Sequence, residues 1–197
     1  MHSIMKSSTF LYKFLFIYLS ISAFANSSVH ADTLIDNKLE HAKWEVTLDD
    51  LIKNQPVKEI GKAEFSVLIW DVYESELSTS SGEYPDTSSE GVLIYKINYL
   101  RDVTSKELIK STIEQWEHLN IKASVYKHFI PELNKIWPDI KSGDSLAFVV
   151  KQNMNAFYYN NKFIGSIDDV EFAKTFLDIW LSEKTSEPEL RNSLLGK

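Results

Sequence analysis

Arg101 is the residue that the sequence places best for holding an anion. It follows a segment in which every second residue is apolar or aromatic: Leu93, Tyr95, Ile97 and Tyr99. Because a β-strand directs alternate side chains to opposite faces, these residues share one face, and Arg101 continues their phase. If the strand extends that far, an aromatic face ends in a guanidinium, whose fork of donors matches a planar carboxylate. The alternative is an Arg101 that is solvated or paired with Asp102.

Ser66 is a second candidate, because it is a polar residue within the apolar segment 59–77. Alternation over this segment predicts one long strand with Ser66 and Trp70 on the same face. Both faces are largely apolar, which predicts a central strand that is covered on both sides. Ser66 is then either a core hydroxyl bonded to backbone or a group that faces a ligand. The expected ligand-binding set is Arg101, Ser66, Trp70, Tyr95 and Tyr99.

Several common catalytic and cofactor-binding patterns are missing from the sequence. It contains no cysteine, and therefore no thiol nucleophile, disulfide or thiolate metal site. It has no glycine-rich phosphate loop, no H-E-x-x-H spacing of metal ligands and no G-x-S-x-G nucleophile elbow. We therefore expect neither a cofactor nor a metal ion. If the protein is an enzyme, Ser66 and Arg101 are the residues able to polarise an oxyanion.

Composition and charge are typical of a single acidic globular domain. The chain has 197 residues, of which 44% are hydrophobic and 25% charged, and its formal net charge is −7. This length and composition suit one domain with a sizeable core. An acidic chain is poorly matched to nucleic acid or to an anionic membrane surface. We expect the partner to be a small apolar or carboxylate ligand.

The first 31 residues have the pattern of a secretory signal peptide. Two lysines precede an uncharged apolar run at 14–24. Small residues at the spacing preferred by signal peptidase predict cleavage after Ala31 or, alternatively, after Ala25. The run is shorter than the roughly 20 residues that span a bilayer, and an uncleaved anchor is the other alternative. We expect an exported, periplasmic protein whose mature domain covers residues 32–197 and has no membrane span.

The mature chain shows local signals for several further elements. Thr104 begins a capping-box pattern and predicts the start of a helix. Pro131 should kink or divide the next helix, and Asp168 is expected to cap a third. Asn160 and Asn161 predict a tight hairpin turn, because asparagine tolerates positive φ. The order of strands, two helices, a strand meander and two helices predicts an α+β domain with a mostly antiparallel sheet.

Five sequence blocks, taken in order, resemble the chalcone isomerase superfamily and in particular its exported bacterial branch. These blocks are 65–73 (FSVLIWDVY), 99–102 (YLRD), 143–146 (GDSL), 159–165 (YNNKFIG) and 186–196 (SEPELRNSLLG). The resemblance implies an open-faced β-sandwich, in which a large sheet carries helices packed on one side. It also implies one of two activities: the cyclisation of chalcones to flavanones in plant enzymes, or fatty-acid binding in other relatives.

The match to the residues of the plant enzymes is partial. Ser66 falls where those enzymes carry a threonine that polarises the substrate ketone. No tyrosine stands near Lys106, where their active-site tyrosine would fall, and Lys58 or Lys62 stands near the position of their arginine. Arg101 matches, by position, the arginine that holds the carboxylate in the fatty-acid-binding relatives. The resemblance therefore implies ligand binding rather than cyclisation of chalcones.

Three functions are consistent with the sequence. The first is a periplasmic binding protein for a fatty-acid-like or other anionic, apolar molecule, with Arg101 on its carboxylate. The second is an isomerase of the chalcone isomerase type, an intramolecular lyase that uses Ser66 and Arg101. The third is a non-catalytic interaction protein. A void lined by Trp70, Tyr95 and Tyr99 would support the first two functions, whereas a filled core would support the third.

Overall fold

The computed structural model describes residues 45–68, 70–86, 91–152 and 154–197. The predicted signal peptide and both cleavage sites lie outside these residues. Six strands form one sheet in the order of the sequence, and each pairs antiparallel with the next. The strands are β1 (Lys58–Val67), β2 (Trp70–Thr79), β3 (Val92–Tyr99), β4 (Ser145–Lys151), β5 (Met154–Tyr159) and β6 (Lys162–Ser166).

Six helices lie within the described part of the chain, and most of them cover one face of the sheet. They are α1 (Leu48–Asn54), α2 (Ser105–His118), α3 (Ala123–Tyr126), α4 (Ile130–Ile136), α5 (Val170–Leu181) and α6 (Pro188–Leu194). Helices α2 to α6 pack against the face that carries Leu93, Tyr95 and Ile97. This arrangement confirms the predicted α+β class and the open-faced sandwich.

The short helix α1 covers part of the opposite face, which the sequence did not predict. Leu48 and Leu51 are buried against Ile94, Val149 and their neighbours, which alternate with the residues of the main core. The central strands β3 and β4 therefore have apolar side chains on both faces. This double burial explains their nearly continuous apolar sequences.

The predicted single strand over 59–77 is wrong, because two antiparallel strands occupy this segment. Strands β1 and β2 form a hairpin in which Phe65 pairs with Tyr73 and Val67 with Trp70. The turn includes Leu68 at a φ of 59°, a conformation that favours glycine or asparagine. Because leucine is not typical of turns, the alternation of residues predicted one continuous strand where the chain forms a hairpin. Strand β1 is consequently an edge strand rather than a central one.

The local signals elsewhere were more reliable. The capping box of α2 is confirmed: the Thr104 hydroxyl accepts a hydrogen bond from the Glu107 amide at 3.2 Å, and the Glu107 carboxylate accepts one from the Thr104 amide at 2.8 Å. Asn160 and Asn161 form the predicted turn with φ of 46° and 71°. The cap of α5 lies one residue later than predicted, since Asp169 accepts from the Glu171 amide.

Pro131 and Gly61 affect how the helices are arranged around the sheet. Pro131 lies in the first turn of α4, and the chain between α3 and α4 breaks the predicted helix in two. Helix α6 ends against β1 at Gly61, where an added Cβ would lie 2.1 Å from the carbonyl oxygen of Ser193. Only glycine permits this close approach, so Gly61 holds the β1–β2 hairpin against the last helix.

Candidate functional site

A cavity of about 360 Å³ lies between the sheet and helices α2 and α5. Tyr73, Ile97 and Tyr99 line it from strands β2 and β3. Thr112 of α2 and Trp180 of α5 are among the residues that line it from the helices. The volume falls within the range of about 300–1,000 Å³ that is usual for small-molecule pockets, and most of the lining is aromatic or aliphatic.

Two of the residues that line this apolar cavity are the tyrosines Tyr73 and Tyr99. The Tyr73 hydroxyl accepts a hydrogen bond from the Trp180 indole nitrogen at 3.0 Å. The Tyr99 hydroxyl makes no hydrogen bond to any residue in the described part of the chain. The Tyr73 and Tyr99 rings are neighbours in an edge-to-face arrangement, with their centroids 6.1 Å apart.

Burial keeps these phenols neutral. It raises the pKa of Tyr73 to about 12, and it raises the pKa of Tyr99 further, with a contribution from nearby Tyr73. Burial likewise raises the pKa of Tyr95, whose hydroxyl lies near the hydroxyls of Ser75 and Tyr73. At neutral pH the cavity therefore presents hydrogen-bond donors rather than phenolate charges.

The polar residues at the edge of the cavity are neutral or acidic. The Ser186 hydroxyl donates to the Gln115 side-chain oxygen at 2.9 Å and connects α2 to the segment before α6. Glu114 and Glu187 are exposed and mark the mouth, and Glu114 pairs with Lys110 at 3.2 Å. No lysine, arginine or histidine is part of the lining formed by the described residues. The cavity therefore suits a mainly apolar ligand with a group that accepts hydrogen bonds.

Arg101 lies outside the cavity lining, because the predicted extension of β3 is wrong. The strand ends at Tyr99, and the chain bends at Arg101, which is exposed. The predicted alternative pairing with Asp102 also does not occur: Asp102 accepts from the Lys141 ammonium at 2.9 Å and the Ser142 amide at 3.0 Å. A role of Arg101 in holding a ligand stays a prediction.

The other expected site residues are separated by the hairpin. Tyr99 lines the cavity, whereas Tyr95 is buried beside it with its ring centroid 4.5 Å from that of Trp180. Ser66 is exposed, and its hydroxyl donates to the Asp71 carboxylate at 2.8 Å. Trp70 is exposed at the hairpin tip and is not part of the lining. The structure thus brings Tyr95 and Tyr99 together and leaves Ser66 and Trp70 outside.

Tyr73 is a cavity-lining residue that the sequence analysis did not predict. In a single strand over 59–77 it would lie about 27 Å from Phe65. In the hairpin the two residues pair directly, and their rings stack with centroids 5.1 Å apart. A turn placed at Leu68 would have revealed this pairing, but no glycine, proline or asparagine marks that turn. The hydrogen bond from the Trp180 indole to Tyr73 was not predicted either, since the two residues are far apart in the sequence.

The described residues hold no group of three or more histidine, cysteine or carboxylate side chains that could bind a metal ion. Within the same ranges, each helix is too short or too polar to cross a bilayer.

Known proteins resemble this chain in sequence and in fold. A sequence model of the chalcone isomerase-like family matches residues 62–196. An uncharacterized protein of Haemophilus influenzae is 25% identical over 138 residues, which are 70% of this chain and 67% of that protein. The crystal structure of an Arabidopsis thaliana fatty-acid binding protein has the same fold, with a TM-score of 0.56 and 10% identity over 71% of this chain and 87% of its own. Because the family model covers more than half of the chain, the protein belongs to the chalcone isomerase-like family.

Proposed function

We propose that this protein binds a small, mainly apolar molecule in the cavity, with a fatty-acid-like compound as the first candidate. The observation that carries the proposal is the mainly apolar cavity of about 360 Å³, whose lining includes Tyr73 and Tyr99. An apolar tail would fill the space among the aliphatic and aromatic side chains. Its polar end would accept hydrogen bonds from Tyr73 and Tyr99, which stay protonated at neutral pH.

The fold of the Arabidopsis fatty-acid binding protein supports this choice of test ligand. The lining itself favours a head group held by neutral donors, since no cation in the described residues faces the cavity. We therefore expect a neutral carbonyl group, as in an ester, to bind at least as well as a carboxylate. The earlier expectation of an anionic ligand held by Arg101 remains the competing form of the same function.

Tyr99→Phe should weaken binding of hexadecanoic acid methyl ester roughly 2- to 13-fold. The substitution removes one hydrogen bond to the ligand, worth roughly 0.5–1.5 kcal/mol, and leaves the cavity shape unchanged. Isothermal titration calorimetry on the wild type and the variant measures the difference. Tyr84→Phe is the matched control, because Tyr84 is a partly exposed tyrosine outside the cavity lining.

The same titrations distinguish the two forms of the function. If neutral donors hold the head group, Arg101→Ala leaves the affinity for both the ester and the free acid unchanged. If Arg101 holds a carboxylate, Arg101→Ala weakens only the free acid, by roughly 10- to 150-fold for a charge-assisted bond of about 1.5–3 kcal/mol. Failure of the wild type to bind either compound would contradict the proposed function.

We further propose that the protein acts in the periplasm after export. The support comes from the sequence alone: an apolar run preceded by two lysines and followed by small residues. N-terminal sequencing of the mature protein should begin at Asp32, or at Asn26 if the alternative cleavage site is used. Intact Met1 in a membrane fraction would instead indicate an uncleaved anchor.

Cyclisation of chalcones has less support as a function. Ser66 and Arg101, the two residues expected to polarise an oxyanion, both lie outside the cavity lining. Catalysis of this kind needs donors about 3 Å from the developing charge. The third alternative, an interaction protein with a filled core, is disfavoured by the open cavity.

A further inference from the structure

The tip of the β1–β2 hairpin exposes large apolar side chains to solvent. Leu68 is 93% exposed, Trp70 is 67% exposed and Val67 is 48% exposed. These three residues, called here the hairpin tip, stand at the end of two ten-residue strands. Leu68 also adopts a positive φ of 59°, which is an unfavourable conformation for a leucine. Large apolar side chains that are exposed close together in the chain are candidates for an interaction site.

The hairpin tip is continuous with the border of the cavity. Val67 is both half exposed at the tip and part of the cavity lining. Val72, on the opposite strand of the hairpin, also lines the cavity. A surface on which the tip rests would therefore lie next to the cavity, and an apolar molecule could pass between the two with little exposure to water.

The outer side of the hairpin is acidic. Glu64 pairs directly with Glu74 across the two strands, and Asp71 follows at the tip. The pKa of the Glu64 carboxyl is raised, because the Asp71 carboxyl lies within hydrogen-bonding reach and Glu74 adds negative charge. These carboxylates would be repelled by an anionic surface, so charge restricts the kind of surface that the tip can approach.

We propose that the hairpin tip docks onto a lipid bilayer surface that carries little negative charge, and that the cavity exchanges its apolar ligand with the bilayer there. Tryptophan and leucine suit the bilayer interface, where an amphipathic ring and an aliphatic chain can both leave water. The continuity of the tip with the cavity favours a bilayer over a protein partner, because a bilayer is also the phase in which an apolar ligand accumulates. The proposed docking depends only on the exposed side chains of the hairpin tip, whereas ligand exchange rests on the proposed function.

Flotation with phosphatidylcholine vesicles tests docking on the ligand-free protein. We expect the wild type to float with the vesicles, and Leu68→Ser and Trp70→Ser each to reduce partitioning about tenfold, since each removes an apolar side chain from the lipid contact. The matched control is Val170→Ser, because Val170 is 64% exposed but belongs to the start of α5. Equal partitioning of all four proteins would overturn the proposal.

Vesicle composition tests the part played by charge. Replacing half of the phosphatidylcholine by phosphatidylglycerol should weaken the partitioning of the wild type. Glu64→Gln and Asp71→Asn should each restore part of it, because they remove negative charge beside the tip. Stronger binding of the wild type to the anionic vesicles would contradict the proposed surface.

Sedimentation and transfer measurements separate the remaining outcomes. If the wild type self-associates in lipid-free buffer and Leu68→Ser does not, the tip joins two copies of the chain. That result would overturn the proposal. If docking is observed, the ester should transfer from vesicles to the wild type faster than to Trp70→Ser, while both bind it equally in detergent-free solution. Docking without any ligand binding would contradict the proposed function but leave the docking surface intact.

Discussion

Ser111→Trp should reduce the affinity for a fatty-acid-like ligand by at least about a hundredfold. Ser111 lies on α2 and lines the cavity close to Thr112 and Gln115. An indole ring at this position would occupy space that we assign to the apolar tail. Losing room for four methylene groups removes about 3 kcal/mol of burial free energy, which corresponds to this loss of affinity. Isothermal titration calorimetry with the methyl ester measures it.

A matched variant on the same helix controls for effects on folding. Lys106 is exposed on α2 and is not part of the cavity lining, so Lys106→Trp should bind the ester as the wild type does. Both variants should unfold at the same urea concentration as the wild type within the precision of the measurement. Undiminished binding by Ser111→Trp would show that the ligand does not occupy this cavity.

The domain should lose stability steeply as the pH rises from about 10 to about 12. Burial raises the pKa of Tyr73 to about 12 and raises the pKa values of Tyr95 and Tyr99 as well. In the unfolded chain a tyrosine titrates near pH 10. Because the folded pKa is the higher one, the stabilisation is complete below pH 10 and is lost as the pH rises through the folded pKa. Each such tyrosine contributes about 1.4 kcal/mol per pH unit in this window.

Urea unfolding followed by far-ultraviolet circular dichroism between pH 8 and 12 measures this loss. Tyr99→Phe should lose less stability than the wild type over the same interval, since it has one buried phenol fewer. Ultraviolet absorbance provides an independent check, because the buried phenols should ionise only as the domain unfolds. Ionisation of every tyrosine near pH 10 in a folded protein would contradict the burial of these side chains.

The family, the fold class and many element boundaries could be predicted from sequence because their signals are local. Thr104 and Glu107 form their capping box within one helical turn, and Asn160 and Asn161 make their turn from their own tolerance of positive φ. Strand β3 could be predicted because its nearly continuous apolar and aromatic sequence differs from the polar residues before it. Such signals depend only on residues close in the chain, so they can be recognised without knowledge of the tertiary contacts.

One turn decides which residues line the cavity, and the residues of that turn are not ones that typically form turns. Leu68 turns the chain by adopting a positive φ, and the pairing of Val67 with Trp70 closes the hairpin around it. This turn moves Ser66 and Trp70 away from the cavity and brings Tyr73 beside Phe65. The phase argument for Arg101 failed for a related reason, since periodicity shows which face a residue would occupy but not where the strand ends.

The sequence by itself determined that an aromatic strand lies in an antiparallel sheet next to a capped helix, because periodicity and capping are properties of neighbouring residues. Only the tertiary structure decided that a cavity remains between them. A void forms where side chains from β2, β3, α2 and α5 leave space at their common junction, and its size depends on the distances between those elements. The same long-range packing placed the Trp180 indole nitrogen against the Tyr73 hydroxyl, across 107 residues of chain.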